Sequence, residues 1–254
     1  MKSERLDEIR RLLLLRGFAS VADIVGATGA SLATIRRDLD RLEVQGVVTR
    51  VHGGAKLANA TTIEAAFENR AGTNLGAKRA IAQAALRLIS PHSTSFFDSG
   101  TTVLQLARAL RVSPVTSAAY TNGLTVAQAL IGAPEVSVWM LGGRIRGENL
   151  SLVGPSAEAM LDTLWFDNLF LGGGAIAPDG QIYGIDETEA RLNTRMIARS
   201  ARVYLLADAS KFGRMATYAI APLTPRIEVI TDGGLSFEWR ERLADDGVKL
   251  TIAE

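Results

Sequence analysis

The stretch SLATIRRDLDRLEVQGVVTRVHGGA, residues 31–55, decides how the N-terminal part of this chain folds. It begins at Ser31, a good N-cap residue, and its helical pattern stops at Gly46. The apolar residues between them have helical spacing: Leu32, Ile35, Leu39 and Leu42. Beyond Gly46 the residues alternate and then reach Gly53-Gly54, which predicts a small β-hairpin.

Two further helices are predicted upstream. Apolar residues recur at helical spacing from Leu6 to Leu13, and Gly17-Phe18 ends that helix. Ser20 stands three residues before Asp23, a capping pattern for a short helix that reaches about Ala27. The turn 28–30 then joins this helix to the helix that begins at Ser31. Two helices joined by so short a turn, followed by a hairpin, predict a winged helix-turn-helix domain over residues 1–56.

The polar face of the second helix has the chemistry of a DNA-reading surface. Arginine pairs with guanine in the major groove, and hydroxyl groups and helix N-termini hold phosphates. The candidate DNA-binding residues are Ser31, Thr34, Arg36, Arg37 and Arg41, with Arg50 and His52 on the predicted wing. An ordinary three-helix bundle with a solvated arginine face is the alternative, because Asp38, Asp40 and Glu43 can neutralise the arginines.

Charge and composition agree with a DNA-binding head on a larger body. Residues 1–56 hold ten basic and seven acidic residues, whereas residues 57–254 hold eighteen and twenty. The chain has no cysteine and no long apolar stretch, so we expect a soluble, cytoplasmic protein without disulfides or membrane contact.

The rest of the chain alternates apolar runs with helical stretches. This order predicts an α/β domain with a parallel, doubly covered sheet over residues 76–254, joined by a linker at residues 57–75. Within the linker, the FENR segment (residues 67–70) is expected to dock on one of the domains. In such sheets ligands bind where strands end and loops lead into helices.

The most informative strand-end loop is Asp98-Ser99-Gly100-Thr101-Thr102. A glycine, two hydroxyl groups and a helix N-terminus make an anion site suited to phosphate, although simple helix capping explains the pattern nearly as well. The Gly172–Gly174 run lacks the spacing of a dinucleotide fingerprint, and we expect no cofactor.

The strings TIRRDL with a Gly-Gly wing, FFDSGTTVLQLARAL, YTNGLTVAQAL, FLGGGAIAPDGQIYG and LLADASKFGR occur in the order typical of one family. With the opening helices they resemble the DeoR family of bacterial repressors of sugar metabolism, from about residue 5 to about residue 231. The sequence departs from that family in two places. Small residues fill positions 26–30, and Asn193 stands where many members carry lysine.

The resemblance implies a repressor that binds double-stranded operator DNA as a homo-oligomer, a dimer or a tetramer. It implies a Rossmann-like sensor domain similar in fold to ribose-5-phosphate isomerases and coenzyme A transferases, which binds a phosphorylated sugar or polyol. The implied effector-binding residues are Asp98, Ser99, Gly100, Thr101, Thr102, Asn122, Gly143, Glu189 and Lys211.

Two other functions stay open at this stage. One is a sugar-phosphate isomerase with a DNA-binding head, although Leu171 stands before the glycine run, where such isomerases tend to carry lysine. The other is a body that only oligomerises. His52 and His92 have no partner at ligand spacing, so we expect neither a metal site nor a catalytic triad. We expect a non-enzymatic sensor.

Overall fold

The computed structural model describes residues 2–51, 53–57, 67 and 69–254. It divides into two compact units, Met1–Ala66 and Phe67–Glu254. His52 and most of the predicted linker, residues 58–66 and 68, lie outside the described residues. No helix among the described residues is long and apolar enough to cross a bilayer.

The first unit is the predicted winged helix-turn-helix. Its helices are α1 (Lys2–Arg16), α2 (Val21–Thr28) and α3 (Leu32–Val44), and its strands are β1 (Phe18–Ser20), β2 (Val48–Val51) and β3 (Gly54–Leu57). The strands form one antiparallel sheet in the order β1-β3-β2, in which β2 and β3 are the predicted hairpin. Strand β1 was not predicted, because three residues are too few to show an alternating pattern.

Both caps of the helix-turn-helix form as expected. Ser20 and Asp23 make a reciprocal capping box, and Gly29 takes a left-handed conformation with φ of 65° that ends α2. Ser31 caps α3. One residue differs from the prediction: Leu32 is 49% exposed rather than buried. It is the first residue of α3, and the residues of this helix that belong to the ten-residue core are Ile35, Leu39 and Leu42.

The second unit is built on a seven-stranded parallel sheet with the order β15-β14-β12-β9-β4-β5-β6. These strands are β4 (Thr94–Phe97), β5 (Ser117–Thr121), β6 (Val136–Met140), β9 (Phe166–Gly172), β12 (Ser200–Leu206), β14 (Ile227–Asp232) and β15 (Leu250–Ala253). The helices are α4 (Leu75–Leu86), α5 (Thr101–Val112), α6 (Leu124–Leu130), α7 (Pro155–Asp162), α8 (Glu187–Ala198) and α9 (Phe237–Asp245).

Two separate hydrophobic clusters show that the sheet is covered on both faces, as predicted. The central strands contribute to both: in β9, Leu169 and Leu171 pack in one cluster and Phe170 in the other. Phe67 packs with the second cluster at 7% exposure. The predicted docking segment therefore begins with a residue that belongs to the core of this unit.

Short antiparallel elements and one helix were not predicted. They are the hairpin β7 (Arg144–Arg146) with β8 (Ser151–Val153), the sheet of β10 (Ala175–Ile176), β11 (Gln181–Gly184) and β13 (Tyr218–Pro222), and helix α9. Each strand here has at most five residues, too few to distinguish from loop by periodicity.

Candidate functional site

The first candidate surface is the exposed face of α3. Ser31 caps the helix by accepting a hydrogen bond from the Thr34 backbone N–H at 3.3 Å, and their hydroxyl oxygens lie 2.9 Å apart. Arg36, Arg37 and Arg41 are exposed along the same helix. The structure thus places the five predicted residues of α3 on one short, solvent-facing helix.

The acidic residues of α3 do not neutralise these arginines, contrary to the alternative considered from the sequence. Asp38 is buried and accepts a hydrogen bond from Arg5 Nε at 2.6 Å. Asp40 pairs with the Arg50 guanidinium, and Glu43 accepts a hydrogen bond from the Arg50 backbone N–H at 3.0 Å. Among the described residues, none of the three α3 arginines has a carboxylate partner. Their positive charge is available to an external anion.

Of the two predicted wing residues, only Arg50 lies in the part of the chain that the structure describes. Arg50 lies on β2 and is half exposed, with its guanidinium turned towards Asp40. His52 lies outside the described residues. The pairing of Arg50 with an acid of α3 ties the wing to that helix.

The second candidate site is a cleft of about 360 Å³ at the carboxyl edge of the parallel sheet. Seven of the nine predicted effector residues line it: Asp98, Ser99, Gly100, Thr101, Thr102, Glu189 and Lys211. They come from the loop after β4, from α8 and from the short 3-10 turn Ala209–Lys211 after β12.

At the base of the cleft, α5 begins without a side-chain cap. Its N-cap is Gly100, so neither Ser99 nor a threonine hydroxyl takes up the first backbone N–H groups. Helix capping therefore does not explain the Ser-Gly-Thr-Thr pattern. Gly100 also approaches the opposite loop closely, because a Cβ there would lie 3.2 Å from the Gly172 Cα. A helix N-terminus whose first donors are not taken up by a side-chain cap suits an anion.

Asp98 is buried beside this N-terminus. Its Oδ2 accepts a hydrogen bond from the Gly172 N–H at 3.0 Å, and the Ser99 hydroxyl lies 3.4 Å from Oδ1. Burial, reinforced by the negative charge of Glu189, raises the pKa of Asp98 to about 6. At neutral pH the cleft therefore contains a carboxylate that is easily protonated.

Glu189 lines the cleft but is already engaged by the β7–β8 hairpin. Its Oε2 lies 2.5 Å from Arg146 Nη1, and its Oε1 accepts hydrogen bonds from the Ser151 hydroxyl at 2.7 Å and from the Asn149 amide. Arg146 is itself 7% exposed and also contacts Asp186. Glu189 thus holds the hairpin against α8.

Asn122 and Gly143 are not brought into the cleft lining. Asn122 is 1% exposed, and its amide reaches the Leu152 carbonyl at 3.5 Å. Gly143 has φ of 141°, and a Cβ there would lie 2.7 Å from the Val153 carbonyl oxygen. In the structure both residues pack against β8, which the sequence did not predict.

Three cations line the cleft without a carboxylate partner among the described residues: Arg70, Lys211 and Arg214. Sequence reasoning named only Lys211. Arg70 was missed because it precedes α4, far in the chain from every strand end, and Arg214 because it follows a loop with no periodic signal. Asn193, one of the two departures noted in the sequence, also lines the cleft.

The segment that carries Arg70 is held from two sides. The Lys78 ammonium donates to the carbonyls of Arg70 and of Thr73, the latter at 2.7 Å. The Asn74 amide donates to Asp208 Oδ1 at 2.9 Å, and Asp208 in turn caps the turn that carries Lys211. Arg70 and Lys211 are therefore positioned by one connected set of hydrogen bonds.

Comparisons with known proteins match both units. The family model for the DeoR C-terminal sensor domain matches residues 73–233, and the model for the DeoR-like helix-turn-helix domain matches residues 5–61. A protein named as aga operon transcriptional repressor from Escherichia coli O157:H7 is 38% identical over 98% of this chain and 93% of its own length. The HTH-type transcriptional regulator GlpR from Haloferax volcanii is 35% identical, over 98% and 96%.

Among solved structures, ribose 5-phosphate isomerase A from Methanocaldococcus jannaschii matches with a TM-score of 0.39 and 14% identity, over 55% of each chain. That likeness concerns the fold alone. The two family models and the full-length relatives agree with each other and with the observed architecture. The chain belongs to the DeoR family of transcription repressors.

Proposed function

We propose that this protein represses a carbohydrate or polyol catabolic operon and is controlled by a phosphorylated sugar bound in the sensor cleft. In this proposal residues 1–56 read the operator, residues 57–75 connect, and residues 76–254 sense and oligomerise. The observation that carries it is the meeting of an uncapped helix N-terminus with three cations that form no ion pair with a described carboxylate.

The electrostatics of the cleft favour an anionic ligand. The phosphoryl group lies at the N-terminus of α5, where the first amides and the Thr101 and Thr102 hydroxyls donate, and Lys211 supplies a point charge. The two cleft acids do not oppose it strongly. Glu189 is paired with Arg146, and burial already raises the pKa of Asp98 to about 6, so that a bound anion, which raises it further, favours the protonated form of Asp98.

The cleft also offers a physical path from ligand to connector. Phe67 and Arg70 form part of its lining, and the chain before them is the connector to the DNA-binding unit. A bound phosphate that contacts Arg70 therefore acts on the segment that directly follows the connector. Ligand binding then biases the arrangement of the DNA-binding units, by the differential affinity that any such coupling requires.

The proposal is for a sensor rather than an enzyme. Leu171, at the position where the isomerases considered above tend to carry lysine, is fully buried in the sheet core and offers no acid–base group to the cleft. Relatives that match over nearly the whole chain are named as regulators. A turnover assay with pentose and hexose phosphates tests this point, and measurable isomerisation contradicts it.

The direct test is DNA retention with and without sugar phosphates. The wild-type protein is expected to bind the region upstream of its operon and to change its affinity with one compound of the panel. Arg37→Ala should weaken operator binding about 10- to 100-fold, because one arginine–base contact is worth about 1–3 kcal/mol. Arg108→Ala is the control, since it removes an exposed helical arginine from α5.

Lys211→Ala should bind the operator like the wild type and lose the response to effector. A thermal-shift measurement with the same compounds shows whether the variant fails to bind the ligand. Operator binding that ignores every sugar phosphate contradicts the sensing part of the proposal, and absence of operator binding at moderate salt contradicts all of it.

A further inference from the structure

Strand β6 forms one edge of the seven-stranded sheet, and no strand among the described residues pairs with its outer side. On the inner side, Glu135 accepts a hydrogen bond from the Ser117 N–H at 3.2 Å, and the Leu141 N–H donates to the Thr121 carbonyl at 2.9 Å. Backbone groups alternate in direction along a parallel strand, so the odd-numbered residues face β5. The N–H and C=O groups of Val138 therefore point outwards.

This edge lacks the features that usually keep edge strands apart. Its residues, VSVWM, include no charge and no proline. The opposite edge, β15, has the residues LTIA and is likewise free of charge and proline, but the exposed Lys249 directly precedes it. The two edges differ in their side chains, because Leu250 and Ile252 of β15 are partly buried whereas Trp139 of β6 is exposed.

Apolar side chains accompany the open backbone. Trp139 is 53% exposed, although one face of its ring stacks on Tyr120 with 5.8 Å between centroids. Ile131, just after the helix that packs on β6, is 61% exposed, and Ile145, on the hairpin that follows β6, is 55% exposed. A strand laid against β6 would find both backbone partners and apolar surface.

The charged residues near the two ends of β6 have opposite signs, so they are complementary between two antiparallel copies of this strand. Exposed Glu135 immediately precedes β6, and exposed Arg144 follows it after a short loop, without a carboxylate partner among the described residues. An antiparallel pair about a two-fold axis at Val138 brings the acidic end of each copy towards the basic end of the other. Isologous contacts of this kind close into a dimer.

We propose that two copies of this chain pair antiparallel through β6, which joins their sheets into one. This surface specifies the oligomerisation that the proposed function assigns to residues 76–254 and rests on it, and its test uses neither DNA nor effector. The two proposals can therefore fail separately. A chain that assembles but does not bind operator DNA contradicts only the proposed function, whereas a chain that stays monomeric contradicts the pairing through β6.

The test measures the mass of the full-length protein by sedimentation at micromolar concentration. Two variants address the edge. Val138→Pro removes an outward N–H, the position on an edge strand that proline tolerates, and Trp139→Lys places a charge on the strand. Trp165→Lys is the control, because Trp165 is also an exposed tryptophan, at 58%, but directly precedes the central strand β9.

The wild type is expected to be a dimer or a multiple of one. Each edge variant should halve the mass of the assembly and weaken the association about 100-fold, whereas the control keeps the wild-type mass. Circular dichroism checks that each variant is folded, and if Val138→Pro is not, Trp139→Lys decides. A monomeric wild type, edge variants with wild-type mass, or dissociation of the control overturns the proposal.

Discussion

Replacing Asp98 with asparagine tests the electrostatics of the cleft. Burial and Glu189 raise the pKa of Asp98 from 3.8 to about 6 in the folded protein. The folded protein then holds more protons than the unfolded chain between about pH 4 and pH 6, so this group lowers stability as pH rises through that range. One pKa unit corresponds to about 1.4 kcal/mol, so the full effect is about 3 kcal/mol.

Asp98→Asn removes this titration. The free energy of unfolding of the variant, relative to that of the wild type, should therefore rise by about 3 kcal/mol from pH 4 to pH 7 and stay level above it. Urea unfolding followed by tryptophan fluorescence measures it, because all three tryptophans (Trp139, Trp165 and Trp239) belong to the sensor unit.

The matched control is Asp179→Asn, which makes the same substitution at an exposed position. Subtracting the control removes the general effect of pH on the other acids. If the difference between Asp98→Asn and wild type does not change from pH 4 to pH 8, the carboxyl group is not held in its neutral form by its surroundings, and the account of the cleft is wrong.

Two further substitutions test the hairpin that closes one side of the cleft, both by the same fluorescence assay. Gly143→Ala should cost about 1–3 kcal/mol, because a Cβ there lies 2.7 Å from the Val153 carbonyl oxygen at φ of 141°, whereas Gly142→Ala, with open space around it, should cost far less. Equal losses would contradict the geometry. Arg146→Met should cost about 3–5 kcal/mol by leaving Glu189 without its cation, and adding Glu189→Leu should recover most of it. A double variant as unstable as the single one would argue against this pairing.

The main sheet could be predicted because its strands are continuous apolar runs. Strand β9, for example, buries Phe166, Leu169, Phe170 and Leu171 completely, so it contrasts sharply with the polar loops around it. The β10–β11–β13 sheet could not be predicted, since its strands are short and run beside glycines such as Gly184. Helix α9 has a serine cap at Ser236 but a mostly exposed surface, so its apolar periodicity is weak.

The candidate site was predictable where neighbours in the chain make it up. The loop Asp98–Thr102 carries its glycine, hydroxyls and helix start within five residues, and the structure places all of them in one cleft. Arg70 and Asn149 reach the same cleft only through long-range packing, which local patterns do not encode. Asn122 and Gly143 show the reverse case: they follow strands as expected, yet β8 lies over them.

The pairing of Arg50 with Asp40 has a consequence for how operator affinity depends on salt. Each cation that meets a DNA phosphate normally releases one condensed counterion, which steepens the fall of affinity with ionic strength. Here the Asp40 carboxylate already pairs with the Arg50 guanidinium, in the way that a DNA phosphate would. In the proposed complex a phosphate must displace Asp40 first, so we expect this arginine to contribute less to the salt dependence than Arg36, Arg37 and Arg41. Asp40→Asn is therefore a route to a repressor that holds DNA more tightly at low ionic strength and loses it more steeply as salt is added.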